Sequence, residues 1–130
     1  MPVNFENLDV YQKAVAFANA IYRETKKFPA SEQFGLVSQL RRAAVSIAAN
    51  IAEGSGRRSV ANQMMFYLNA RGSLYECLPL LRIATDQQFI DKQSLTELRY
   101  QADEVIRLLN GLLRYLKSPR SMQQKIMVDR

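Results

Sequence analysis

Apolar residues recur at spacings of three and four through four long stretches of this chain, and no useful length of it alternates them. A period near 3.6 belongs to a helix with one buried face; a period of two would mark a strand. The first stretch carries Leu8, Tyr11, Val15, Ala18, Tyr22 and Thr25, with Asn7 as N-cap and Lys26-Lys27 complementing the last turn's dipole. Pro29 disfavours helical backbone at Phe28 and so breaks it. The second stretch runs from about Glu32 to Glu53, with Ser31 as its cap. Gly54-Ser55-Gly56 ends it, the glycines supplying positive φ. Ser59 caps the third, where Val60, Met64, Tyr67, Leu68, Leu74, Tyr75, Leu78 and Leu81 share a face. Pro79 inside it should bend that helix or end it early. The fourth opens on the capping box Ser94-Leu95-Thr96-Glu97 and continues as the heptad series Leu95, Leu98, Ala102, Val105, Leu109, Leu112, Leu116. Ser118-Pro119 stops it.

Helices of this length on short loops must run antiparallel to their neighbours. The sequence therefore predicts an all-α fold, an up-down-up-down antiparallel four-helix bundle over residues 1–119, followed by a flexible basic tail over 120–130. A chain of 130 residues is one domain and buries roughly two thirds of its unfolded surface.

The residue inventory narrows the chemistry. There is no His, so imidazole metal sites and histidine-based nucleophile dyads are excluded. Cys77 is the one cysteine; it has no disulfide partner within the chain and suits a reducing compartment. As a lone helical thiol it reads as a small core residue. Glu53, Glu76 and Glu104 lack the Glu-x-x-His pairs of di-iron bundles, so no metal or cofactor is expected, and no enzymatic activity. The opening MPVNFENLDV has neither a basic nor an apolar signal region, and no stretch reaches the ~20 apolar residues of a membrane span. The expected location is cytoplasmic, away from membrane.

The second stretch departs from the one-stripe rule. At about 100° per residue, Leu36, Leu40, Ala43, Ala44, Ile47, Ala48 and Ile51 form its core face. Ser38, Val45, Ala49 and Ala52 form a second face of small residues opposite. Gln39, Arg42, Ser46, Asn50 and Glu53 make a narrow polar stripe between them. A helix apolar nearly all round is buried nearly all round, and the simplest cover for its second face is another copy of the chain. Ser38, Arg42, Val45, Ala49 and Ala52 are thus the expected oligomer interface. Arg71 falls among the apolar residues of the third stretch and needs a partner, Glu53 and Glu104 being candidates.

The formal charge is +6, and residues 99–130 hold seven basic and three acidic side chains, leaving +4 there. Arg99, Arg107, Arg114 and Lys117 lie along one ridge of the fourth stretch. Arg41, Arg42, Arg57 and Arg58 form a second basic cluster, the last two in a glycine-flanked loop before a helix N-terminus that could help hold a phosphate. These eight residues are the candidate contacts to RNA or DNA. No motif interleaving aromatic with basic residues is apparent, nor any helix-turn-helix or P-loop, so such binding would be led by phosphates and poorly sequence-specific. A protein–protein interaction scaffold with no nucleic-acid role suits the same residues.

Two runs hold specific blocks: Phe34-Gly35-Leu36-x-x-Gln39-Leu40-Arg41-Arg42-Ala43-Ala44, through its Arg-Arg-Ala, and Ser46-Ile47-x-x-Asn50-Ile51-Ala52-Glu53-Gly54, through its Asn-Ile-Ala-Glu-Gly. With Phe5-x-x-Leu8-x-Val10-Tyr11 before them and Ala70-x-Gly72-Ser73-Leu74-x-Glu76 after, the chain resembles a family of bacterial four-helix-bundle proteins over about residues 5–117. That family is the one first noticed in intervening sequences of large-subunit ribosomal RNA genes, and the accessory proteins of diversity-generating retroelements are related to it. The resemblance implies a ring-like homopentamer with a basic surface and no established catalytic residue. For the retroelement branch it also implies binding of nucleic acid and of a reverse transcriptase.

Overall fold

The structure is a computed structural model and describes residues 5–118. The boundary expected at 119 and the tail over 120–130 lie outside the described residues. A 3-10 turn at Phe5–Asn7 leads into α1 (Asp9–Thr25), and a second at Ala30–Glu32 precedes α2 (Leu36–Ser55). Next come α3 (Val60–Asp86) and α4 (Lys92–Lys117). Each helix packs on its neighbours in the cyclic order α1-α2-α3-α4, with α4 returning to α1 and α2–α3 the most extensive contact. This is the antiparallel four-helix bundle that the periodicity predicts. Among the described residues, no helix is long and apolar enough to cross a membrane.

Phe17, Ile21, Leu40, Ile47, Ile51, Leu74, Leu81 and Leu109 are fully buried at the centre. Each such side chain stabilises the fold by about 1.5–3 kcal/mol relative to exposure. The α4 series behaves as predicted, with Leu98, Ala102, Val105, Leu109 and Leu116 buried and Leu95 and Leu112 at the margins. On α1 the core face is instead set by Val10, Ala14, Phe17 and Ile21. Tyr11 and Val15 are only partly covered and Tyr22 is exposed, because α1 is apolar on two sides and the fit to the other three helices decides which turns inward. On α3, likewise, Tyr67, Ala70, Leu74, Cys77, Leu81 and Ala84 are buried, whereas Leu68 and Tyr75 face outward.

The helix starts also differ from the sequence reading. Leu8, not Asn7, is the N-cap of α1 and makes no side-chain cap bond. Glu32 Oε1 accepts a hydrogen bond from the Leu36 amide at 3.3 Å, so a carboxylate serves the start of α2 in place of Ser31. Ser59 does cap α3, accepting from the Asn62 amide at 3.1 Å. Pro79 does not end α3, which runs on to Asp86; the proline is exposed, where a carbonyl left without its helical partner can meet water.

Asp91 displaces the capping box at α4. Its carboxylate accepts from the Ser94 amide at 2.7 Å, which moves the helix start ahead of Ser94. That bond holds the Asp91 carboxyl below its ordinary range, with Lys27 adding to the effect. A depressed folded-state pKa contributes stability that is present above the unfolded value near pH 4 and lost as pH falls through the folded one. Asp91→Ala should therefore lower the melting temperature at neutral pH, and the gap from wild type should close under strongly acidic conditions. Thermal melts across that range check this.

Candidate functional site

The face of α4 opposite the bundle carries the predicted ridge. Arg99, Arg107, Arg114 and Lys117 are all exposed. They fall within about 80° of one another and span about 27 Å of helix. Arg107 Nη2 lies 3.9 Å from Glu104 Oε2, which also has Lys13 Nζ at 3.8 Å. Arg99, Arg114 and Lys117 make no ion pair among the described residues. Asp103 is the acid that lies within the ridge. Tyr100, which the sequence reading passed over, stands beside them at 69% exposure. Its signal was the heptad spacing Tyr100, Arg107, Arg114, hidden because a lone tyrosine among arginines is not a motif.

The second basic cluster separates. Arg41 and Arg42 lie in the second turn of α2 and Arg57 and Arg58 follow its end, about 24 Å away along the axis. Arg41 is spent on structure: Nε donates to Thr25 Oγ1 at 2.9 Å, Nη2 to the Tyr22 carbonyl at 3.4 Å, and the guanidinium lies over the Tyr22 ring. Arg42 donates to Ser38 Oγ at 3.2 Å and remains exposed. Arg57 pairs with Glu53 at 2.9 Å and covers the Phe66 ring. Arg58 is exposed and makes no ion pair among the described residues.

The outer face of α2 lines an open apolar groove. Its middle section, about 460 Å³, lies between α1 and α2, with Ala48, Ala49 and Ala52 meeting Tyr11, Val15 and Tyr22. Adjoining hollows extend it past Phe5 to Arg57 at one end and past Phe34 and Ser38 at the other. Phe34 is 95% exposed and Val45 47%. The face of Ser38, Val45, Ala49 and Ala52 is thus as the sequence places it, and α1 contributes the aromatic wall that its periodicity assigned to the core. The polar stripe of α2 turns instead toward α3: Ser46 Oγ meets Ser73 Oγ at 2.9 Å, and Asn50 Nδ2 donates to the Ser46 carbonyl at 2.8 Å.

Arg71 is partly buried, and its partner is neither Glu53 nor Glu104: Nη1 donates to Asn110 Oδ1 at 2.8 Å. A neutral amide spares the fold a buried ion pair. Cys77 is fully buried, and burial, with Glu76 beside it, pushes its thiol up to about 12. It is a poor nucleophile. Among the described residues no group of three or more His, Cys, Asp or Glu is arranged to hold a metal ion.

Comparison with solved structures finds a protein of unknown function from the S23 ribosomal protein family of Bacteroides thetaiotaomicron. It is 22% identical, with a TM-score of 0.72 covering 80% of this chain and 97% of that one, a likeness that attests the fold. No curated protein matches. A family model described as 23S rRNA-intervening sequence protein matches residues 6–111, from the turn before α1 to well within α4. The chain belongs to the 23S rRNA-intervening sequence protein family.

Proposed function

We propose that this protein acts without catalysis, as a cytoplasmic homo-oligomer that binds RNA or DNA through its phosphates and with little sequence preference. The observation that carries this reading is the α4 ridge, where Arg99, Arg114 and Lys117 stand in solvent without an acid partner among the described residues. Cations so placed can exchange water and counterions for phosphate at little cost in broken contacts. Arg42 and Arg58 are secondary contacts; Arg41 and Arg57 are already engaged within the fold. The α2 groove supports assembly, and a pentamer, the number the family resemblance implies, would multiply the +6 of one chain fivefold.

Binding led by phosphates must weaken steeply with salt, log affinity falling with log salt at about −0.9 per phosphate contacted on duplex DNA. Affinity for mixed-sequence RNA and DNA, single-stranded and duplex, at two ionic strengths tests this. Retention at low salt that is lost at higher salt is expected; no retention at low salt overturns it. The groove, with Phe34 beside it, favours a second reading, a scaffold whose partners are proteins alone. That reading expects no retention at either salt.

A further inference from the structure

The exposed tyrosine on the basic ridge adds a class of substrate to the reading above, on which this step rests. Tyr100, Arg107 and Arg114 succeed one another at seven-residue intervals. They fall on nearly one line of α4, about 10 Å apart. The Tyr100 ring is the second most exposed large hydrophobic side chain of the described residues, after Phe34. It makes no hydrogen bond, ring contact or cation contact among them. Neither the core nor the α2 groove accounts for it: α4 packs on α1 and α3, diagonally across the bundle from α2.

We infer that the α4 ridge takes single-stranded nucleic acid, a base stacking on Tyr100 while Arg107, Arg114 and the flanking Arg99 and Lys117 hold phosphates. A duplex keeps its base faces inside its own stack and offers a convex helix ridge only phosphates and groove edges, so the ring gains nothing from it. A single strand exposes the π-face of every base, and stacking on an aromatic side chain is indifferent to which base it is. The acids facing the ridge, Asp103 within it and Glu97 and Glu104 at its edge, surround Tyr100 and repel phosphate but not a base. Asp103 and Glu104 divide the surface between Arg99 and Arg107, and Tyr100 holds the strand at that gap.

The test is fluorescence anisotropy at low salt on three probes of equal length: a mixed-sequence single strand, its duplex, and an abasic strand with the same phosphates. Ribose and deoxyribose versions of the single strand are both measured. Tyr100→Ala should weaken the single strand by roughly five- to a hundred-fold and leave the duplex and the abasic strand unchanged. Tyr100→Phe, which keeps the ring, should retain affinity. The side chain is exposed, so both variants should fold, which circular dichroism checks. If wild type binds duplex and abasic strands while Tyr100→Ala changes nothing, or weakens all three alike, this inference is overturned and the phosphate-binding reading stands. If wild type binds no probe at low salt, the phosphate-binding reading itself fails.

Discussion

Replacing Ala49 with arginine should lower the solution mass to that of a single chain, about fivefold if the assembly is a pentamer, and leave the helical content unchanged. Ala49 is exposed in the lone chain and lies on the α2 groove. Nothing in the bundle core therefore has to move to admit a long side chain there. In an assembly the same position would be covered, and a guanidinium without a partner in a desolvated interface costs several kcal/mol. A subunit contact of ordinary size depends on a small central cluster that cannot absorb such a loss. Thr96→Arg, on the exposed surface of α4, adds the same charge away from the groove and should leave the mass alone. Sedimentation or light scattering reads both variants. An unchanged mass for Ala49→Arg would show that copies do not meet through this face.

The bundle was legible because its signal is redundant. Four stretches of helical period, each longer than a single mispredicted residue could disturb, leave few ways to pack. What was less legible is which side of an ambiguous helix turns inward. On α1 the stripe of Tyr11, Val15 and Tyr22 is as regular as that of Val10, Ala14, Phe17 and Ile21, and only the shape of the cavity offered by the other helices chooses between them. The choice bears on function, since the stripe left outside becomes the wall of the groove. The small-residue face of α2 was readable because it sits opposite a core face that larger residues fix. Caps were read unevenly: Ser59 is a local event and was found, whereas Asp91 competes with a capping box three residues on and wins by geometry. The partner of Arg71 was missed because Asn110 is 39 residues away and neutral, and a search for opposite charge passes over an amide.

Gly54 shows the same limit and predicts a large stability effect from one added side chain. Its place in the Gly54-Ser55-Gly56 run suggests a helix terminator with positive φ, yet no glycine of the described residues has positive φ, and Gly54 lies within α2. What it provides is room. A Cβ at Gly54 would stand 2.8 Å from Tyr67 Cε1 and 3.1 Å from both Tyr67 Cδ1 and Phe66 Cβ. Tyr67 is a buried ring that cannot swing aside, so α2 and α3 approach closely because this position has no side chain. Overpacking a core costs about 1–3 kcal/mol, and Gly54→Val, branched at the point of contact, should reach the upper end, about 3 kcal/mol. For a domain of this size that is a fall in melting temperature on the order of 10 °C. Gly54→Ala should cost less, because alanine's better helix propensity, about 1 kcal/mol, offsets part of the clash. The cause is separable from propensity by a double-mutant cycle. In a Tyr67→Leu background, where the ring is gone, Gly54→Val should cost much less than in wild type. Equal costs in the two backgrounds would mean that the close approach of α2 to Tyr67 is not what this glycine serves.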